Sequence, residues 1–278
     1  EHRLRYGVTP IATLVNKRKG EAYTRFGSVV FTQANRNDIT SFQDLKGKKF
    51  MGADEQGFGG WRVAWREMAR KGIDPYRDFR ELSFGGGIQQ NVVHAVRARV
   101  VDAGAVRTDL LERMAERGEI ELDQFKVIEP RLTKGFRFMH STPLYPEWPF
   151  AKMKHTSEAL ASKVAAALYN LKPDSEAAMA GKYVGWVTPL DYEPVDELLR
   201  ELRVGPYQGR TFISLDDLVS RYWWQLSGAM VLLLGMAIAG MQVMRTNRQL
   251  RQARYELENQ QHTLEKMVSE RTSELQAS

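Results

Sequence analysis

Two glycine-rich loops contain the residue types that bind anions through the backbone. The first, D-E-Q-G-F-G-G-W, occupies residues 54–61, and the second, F-G-G-G-I-Q-Q-N, occupies residues 84–91. Each leads into a segment with helical periodicity, and the free N–H groups at a helix start attract negative charge. Tight turns also need glycine, and the spacing alone favours turns over ligand sites. Neither loop has the pattern of a nucleotide-binding loop.

A third group with chemical potential is the run Arg107, Thr108 and Asp109, at the junction of a predicted strand and a predicted helix. Thr108 or Asp109 is suited to cap the helix, and Arg107 is suited to face a cleft and pair with an anion. A capped helix with a surface arginine accounts for the same residues equally well. Both interpretations stay open on the sequence.

Other kinds of site have little support. The chain has no Cys, which excludes disulfides, thiolate metal sites and cysteine nucleophiles. Its histidines lack metal-ligand spacing, and no Ser/His/Asp order or carboxylate pair indicates catalysis. The net charge of +6, from 40 Lys plus Arg against 34 Asp plus Glu, is too modest to indicate nucleic-acid binding. We therefore predict no catalytic residue, no metal and no cofactor.

The elements that must position these loops alternate along residues 1–221. Short apolar runs bounded by polar or Gly-rich segments predict strands at residues 11–14, 29–32, 49–53, 82–84, 103–106 and 126–128. Helical periodicity occurs at residues 61–71, 91–97, 108–117 and 157–171. This alternation predicts an α/β fold with largely parallel strand pairing.

Residues 226–244 are 19 residues without a charged side chain. A helix of that length spans about 28 Å, close to the roughly 30 Å hydrocarbon core of a bilayer. Tyr222, Trp223 and Trp224 precede the stretch as an interfacial belt, and four arginines follow it between residues 245 and 254. The pattern predicts a transmembrane helix; the alternative is a buried core helix of a soluble protein.

The positive-inside rule orients this span. It predicts that residues 1–221 lie outside the cytoplasm and that residues 245–278 lie inside it. Beyond the span, Leu250, Leu257 and Leu264 recur every seven residues, whereas polar residues occupy much of the other seam position. This indicates a weak two-stranded coiled coil, with a solvated helix as the alternative.

Four segments follow from these patterns. They are an extracytoplasmic α/β domain (1–214), a connecting helix (215–225), the transmembrane helix (226–244) and a coiled-coil helix (245–278).

Several strings resemble a known family. D-L-K-G-K-K-F-M-G-A-D-E-Q-G-F-G-G-W (44–61) and G-I-D-P-Y-R-D-F (72–79) resemble the phosphate/phosphonate-type periplasmic solute-binding proteins. V-D-A-G-A-V-R-T-D-L-L-E (101–112) and S-T-P-L-Y-P-E-W-P-F-A (141–151) are similar to the sensor domains of histidine kinases related to the tetrathionate sensor. The resemblance covers about residues 3–207.

The resemblance implies a two-lobed, type II periplasmic-binding-protein fold that closes around a small oxyanion. Relatives commonly carry G-[ST]-H-D where this chain has Gly87-Ile88-Gln89-Gln90, so the resemblance does not identify the ligand. By matching position, the implied ligand-binding residues are Gln56, Gly57, Phe58, Gly59, Gly60, Trp61, Gln89, Gln90, Arg107, Thr108, Asp109, Ser141, Thr142 and Tyr145.

The expected function is the ligand-sensing and transmembrane signalling part of a bacterial two-component sensor histidine kinase. Its ligand would be a sulfur oxyanion, phosphate or phosphonate. The expected partners are the membrane, a second copy held through the membrane and coiled-coil helices, a downstream kinase domain and a response regulator. The chain also resembles a fragment whose first lobe is truncated. The alternatives are a membrane-tethered receptor of an ABC-type importer and, without a catalytic constellation, an α/β enzyme.

Overall fold

The computed structural model describes residues 7–208 and, in a C-terminal helix, residues 223–225, 227–228, 230–248, 250–251 and 254. The chain divides into two compact units, Glu1–Arg210 and Thr211–Ser278. Most of the predicted connecting helix and most of the predicted coiled coil, including Leu257 and Leu264, lie outside the described residues.

The first unit contains all the described strands and seven α-helices. Its strands are β1 (Thr9–Arg18), β2 (Glu21–Tyr23), β3 (Arg25–Phe26), β4 (Ser28–Gln33), β5 (Lys49–Gly52), β6 (Glu81–Phe84), β7 (Ala103–Arg107), β8 (Phe125–Val127), β9 (Arg131–Thr133), β10 (Phe136–His140), β11 (Tyr145–Pro146), β12 (Pro149–Lys152) and β13 (Tyr183–Val187). Its helices are α1 (Val63–Arg70), α2 (Pro75–Asp78), α3 (Gln89–Arg97), α4 (Leu110–Glu116), α5 (Glu158–Tyr169), α6 (Glu176–Gly181) and α7 (Glu193–Glu201).

The larger sheet has five strands in the order β6-β5-β7-β4-β8. Strand β5 pairs in parallel with β6 and β7, whereas β4 pairs antiparallel with β7 and β8. The prediction of largely parallel pairing is therefore wrong, because β5 makes the only parallel ladders of the described strands. The chain enters β4 at the edge where β7 ends, with Ser28 opposite Arg107, so β4 runs against its neighbours.

Helices cover both faces of this sheet. Val29 and Phe31 of β4 pack with α3 and α4, while Val30 packs on the opposite face with α1. A strand buried on both sides has no polar face, which explains the unbroken run S-V-V-F-T. Contact with α3 is close: a Cβ on Gly104 of β7 would lie 2.4 Å from Cγ1 of Val92.

The smaller sheet is antiparallel, with order β12-β1-β13 and with β2 also paired to β1. The chain leaves it after β2 and returns to it at β12. The first crossing segment (residues 24–27) and the second crossing segment (residues 141–148) pair with each other through β3 and β11. Tyr145 lies opposite Phe26, and Pro146 lies opposite Arg25. Two sheets joined by paired crossings form a two-lobed unit with its connections at one place.

The second unit is described only by a helix, α8 (Trp223–Arg248). It has 26 residues, a mean hydropathy of 1.9 in its most apolar window, and no buried residue in that window. At 1.5 Å per residue it is about 39 Å long, which is sufficient to cross a bilayer by length and composition.

Candidate ligand-binding site

A small pocket lies where the ends of β1 and β7 meet the two crossing segments. Its volume is barely enough for one water molecule. It is lined by Arg18, Tyr23, Arg25, Phe26, Arg107, Thr108, Asp109, Phe136, Phe138 and Glu147. Of the predicted site residues, the structure thus brings Arg107, Thr108 and Asp109 to this wall.

Arg107 is the last residue of β7, and its side chain is 16% exposed. Its guanidinium lies over the ring of Phe26, 4.1 Å from Cζ to the ring centroid, and Nη2 donates a hydrogen bond to Glu147. Burial lowers the pKa of Arg107, and the nearby carboxylates of Glu147 and Asp109 oppose that effect. A largely desolvated guanidinium at a strand end is suited to bind an oxyanion, because it presents several donors in one plane.

Thr108 and Asp109 fix the turn that follows. The N–H of Gly27 donates to Oγ1 of Thr108 at 3.2 Å. Asp109 precedes α4 with a left-handed backbone (φ 73°), and its side chain makes no helix-capping hydrogen bond. Instead the buried carboxylate pairs with Arg18 and with Arg113. The sequence prediction that Thr108 or Asp109 caps the helix with its side chain is therefore wrong, because tertiary partners occupy both side chains.

The first glycine loop packs against two residues that line the pocket, Phe26 and Arg107. A π-helical turn, Phe58–Arg62, precedes α1. A Cβ on Gly59 would lie 2.8 Å from the Phe26 ring and 3.4 Å from Cβ of Arg107. Gly59 therefore forms the floor beneath the Arg107–Phe26 stack, and a side chain there would displace it.

The other residues of this loop take different positions. Trp61 is fully buried and packs against Phe50 and Phe84 in the core of the larger sheet. Gly60 is buried as well, since a Cβ there would lie 2.6 Å from Cβ of Ala53. Gln56 is exposed, and its N–H donates to Asp54. None of these three side chains or positions lines the pocket.

The second glycine loop supports the site from behind. Gln89, the first residue of α3, accepts a hydrogen bond from the Arg107 N–H through Oε1 at 2.7 Å. Gln90 is half-buried and does not line the pocket. The loop is tied to β5, because Gly85 and Gly87 donate to the carbonyls of Gly52 and Ala53 at 2.9 Å each. The side chain of Gln89 therefore holds the end of β7 in place by bonding the backbone of Arg107.

Ser141 and Thr142 bind the second crossing segment to the larger sheet. Both are fully buried. Oγ of Ser141 accepts from the Val30 N–H at 3.0 Å, and Oγ1 of Thr142 accepts from the Ser28 N–H at 3.0 Å. These hydroxyls are thus used by β4.

Aromatic contacts link the glycine loop to the second crossing segment. The ring of Phe58 makes edge contacts with Phe26 and with Tyr145 at centroid distances of 6.0 and 5.3 Å. Tyr145 is buried, and its hydroxyl oxygen accepts a hydrogen bond from Arg66 at 2.9 Å. Both residues stand behind the pocket wall.

Glu147 is the main residue that the sequence analysis missed. It is 1% exposed, it faces Arg107, and its second carboxylate oxygen, Oε2, accepts no hydrogen bond from the described residues. Its backbone is fixed, because its N–H donates to Thr24 at 2.8 Å and its carbonyl accepts from Tyr192 at 2.6 Å. The signal was present, since Glu147 is the one acid in the string S-T-P-L-Y-P-E-W.

The pocket has an excess of positive charge. Three arginines, Arg18, Arg25 and Arg107, face two carboxylates, Asp109 and Glu147, which leaves a formal charge of +1. Arg25 is exposed and has no ionic partner among the described residues. No cluster of metal-ligating side chains occurs within the same residues. The arrangement can attract an anion and bind it through arginine and backbone donors.

Comparison with known proteins decides the family. Residues 1–193 match the model of the periplasmic substrate-binding proteins of phosphonate ABC transporters. The chain belongs to this family. The resemblance inferred from its sequence is thereby confirmed.

Over 225 residues the chain is 32% identical to the tetrathionate sensor histidine kinase TtrS of Salmonella typhimurium, covering 81% of this chain and 36% of TtrS. It thus spans about a third of the length of that relative.

Two solved structures have a similar fold. One is PhnD1 of Prochlorococcus marinus in complex with methylphosphonate (TM-score 0.52, 15% identity, 72% of this chain and 74% of that one). The other is the binding component of a phosphonate ABC transporter of Pseudomonas aeruginosa (TM-score 0.52, 18% identity, 83% and 74%). At this identity they confirm the type II periplasmic-binding-protein fold.

Proposed function

We propose that this phosphonate-binding-family chain is the ligand-sensing part of a bacterial two-component sensor histidine kinase. The observation that carries the proposal is the partly buried Arg107 in a pocket of net positive charge, within a chain that continues into a helix long enough to cross a membrane. Similarity to TtrS over 81% of the chain supports the sensor class. The similarity to phosphonate-binding proteins supports an oxyanion ligand.

Arg107 would be the primary anion contact, with Arg25 attracting the ligand at the mouth of the pocket. Gly59 packs against Phe26 and Cβ of Arg107, so the N–H groups of its turn would add donors, as helix starts do for anions. The ligand class is a sulfur oxyanion, phosphate or phosphonate. The site would close as the lobes rotate about the paired crossing segments, and a ligand shifts that equilibrium only by its differential affinity for the two states.

The signal would leave the sensor unit through α8, with residues 1–221 in the periplasm and residues 245–278 in the cytoplasm. Arg245, Arg248, Arg251 and Arg254 favour this orientation under the positive-inside rule. A homodimer through the membrane helix and the heptads, a kinase domain and a response regulator complete the proposal. Each rests on the sequence pattern and on the likeness to TtrS.

The test is an oxyanion panel on the full chain in detergent micelles. We expect one of phosphate, methylphosphonate, sulfate, thiosulfate or tetrathionate to raise the melting temperature, since a ligand at 100 times its dissociation constant stabilises by about 2.7 kcal/mol. Arg107→Gln should abolish the shift. The control Arg77→Gln removes the same charge from an exposed position of α2 and should preserve it. The proposal is contradicted if no anion raises the melting temperature of the wild type. It is also contradicted if an anion shifts the melting temperatures of Arg107→Gln and Arg77→Gln equally.

A further inference from the structure

The anion contact of the pocket is already occupied by a group of the protein itself. Nη2 of Arg107 donates to one oxygen of Glu147, which is its only hydrogen-bonded carboxylate among the described residues. With Glu147 in place, the pocket has room for barely one water molecule. An oxyanion that takes the position of this carboxylate on Arg107 must displace it.

Electrostatics makes the two anions competitors. Glu147 is 1% exposed and Arg107 is 16% exposed, so both lie where solvent screens charge poorly. A ligand oxyanion on Arg107 would stand beside the Glu147 carboxylate, and like charges that share a site disfavour one another. Arg107 can neutralise one of them at full strength, but not both.

Glu147, rather than Asp109, is the carboxylate that can yield. Asp109 is held by two arginines, Arg18 and Arg113. Among the described residues, the Glu147 side chain pairs with Arg107 alone. It therefore gives up one ion pair when it moves, whereas Asp109 would give up two.

We propose that Glu147 is a tethered competitor for the ligand site, a specificity-determining residue whose carboxylate occupies Arg107 until an oxyanion displaces it. This inference rests on the proposed function. Because the Glu147 backbone is bound to Thr24 and Tyr192, displacement is a side-chain rotation. The competing carboxylate lowers the affinity for every anion. It excludes anions whose interaction with Arg107 is weaker than that of the carboxylate. Ligands that give the guanidinium two oxygens in its plane are selected.

The test is Glu147→Gln in the full chain in detergent micelles, with isothermal titration of sulfate, thiosulfate, methylphosphonate and 2-aminoethylphosphonate. Removing the competing charge should lower the dissociation constants of the anions that the wild type binds by about tenfold, equivalent to about 1.4 kcal/mol. Glu147→Asp keeps the negative charge but places it farther from Arg107, because the side chain is one methylene shorter. It should increase the anion affinity by less. The control Glu119→Gln removes an exposed acid that pairs with Arg117, and should leave affinity unchanged.

The outcomes separate the two proposals. If the wild type binds an oxyanion and Glu147→Gln binds it equally or more weakly, the competitor is disproved and the proposed function stands. If Glu147→Gln loses binding of 2-aminoethylphosphonate alone, Glu147 binds the ammonium group of that ligand. This outcome would also overturn the competitor proposal. If neither form binds any probe, both proposals fail. Equal tightening in Glu119→Gln would show a general charge effect and overturn the inference, whereas tightening that Arg107→Gln abolishes supports it.

Discussion

The guanidinium of Arg66 in α1 binds the carboxylate of Glu201 in α7 at two points, Nε to Oε2 at 2.7 Å and Nη2 to Oε1 at 2.6 Å. Arg66 is almost fully buried and also donates to the Tyr145 hydroxyl at 2.9 Å. One side chain therefore connects three elements, α1, α7 and the second crossing segment. Arg66 therefore ties α7 to the core of the first unit.

Two arginines on Glu201 give a matched test of burial. We expect Arg66→Ala to lower the free energy of unfolding by about 3 kcal/mol, because it strips the Tyr145 hydroxyl and Glu201 of a buried partner. Arg70 also pairs with Glu201 but is 49% exposed, so Arg70→Ala should cost less than about 1 kcal/mol. Thermal unfolding of the full chain in micelles, followed by tryptophan fluorescence, compares them. Equal losses would contradict the ranking.

Glu201 also predicts a response to acid. The hydrogen bond from Arg66 lowers the pKa of Glu201 from 4.5 to about 2. A carboxylate with a depressed pKa in the folded state stabilises above its unfolded pKa and loses that contribution as the pH falls through the folded pKa. We expect Glu201→Gln to melt below the wild type at pH 7, with the difference shrinking between about pH 4.5 and about pH 2. A difference that is constant with pH would refute this assignment.

For Glu112 we expect the opposite dependence of stability on pH from that of Glu201. It is 8% exposed, and burial, with Asp109 nearby, raises its pKa. Its Oε2 accepts no hydrogen bond from the described residues. Stability linked to a raised pKa is complete below the unfolded value and is lost as the pH rises through the folded value. Glutamine avoids that loss.

Glu112→Gln should therefore raise the melting temperature at pH 7 by roughly 2–4 °C, about 1 kcal/mol, with no gain below about pH 4. The control is Glu116→Gln, one turn later in α4, where the exposed acid pairs with Lys19. It should change the melting temperature little at either pH. A destabilised Glu112→Gln would show that the charged form is favoured by the fold.

Much of the fold follows from the sequence because its longer elements have periodic apolar patterns. All six predicted strands and all four predicted helices occur, within a few residues of their predicted ends. Short strands such as β3 and β11 have only two residues and no period, so nothing in the sequence marks them. Strand direction is also absent from an alternation pattern, which is why the reversed β4 was missed.

The site divides in a similar way. Arg107 was found because it ends a strand, a position that local sequence reveals. Glu147 lies 40 residues further on, and its contact with Arg107 arises only when the second crossing segment pairs with the first. Trp61 matched the family motif by position, yet the core of the larger sheet takes its ring. Matching by position identifies the loop, whereas burial decides which of its side chains can meet a ligand.

Two glycines distinguish the pocket from the core. Ala at Gly59 would press on Phe26, whose ring supports Arg107, so Gly59→Ala should weaken oxyanion binding by about tenfold and lower the melting temperature. Gly104→Ala meets Val92 in the core and should lower the melting temperature without changing affinity. Titration and thermal unfolding of both variants test this. If Gly59→Ala and Gly104→Ala lose comparable affinity, overpacking anywhere in the first unit disturbs the site.

The orientation of the chain across a membrane is open to a direct test, because the sequence has no Cys. Lys163→Cys lies on the exposed surface of α5, and Arg251→Cys follows α8; both side chains are exposed. If α8 spans the inner membrane as proposed, an impermeant maleimide added to intact spheroplasts should label position 163 alone, and should label position 251 only after lysis. The arginines after α8 predict this direction, since positive residues stay in the cytoplasm. Labelling of both positions in intact cells, or of neither, would show that α8 does not separate them, and a sensor that signals across the membrane through this helix would then be excluded.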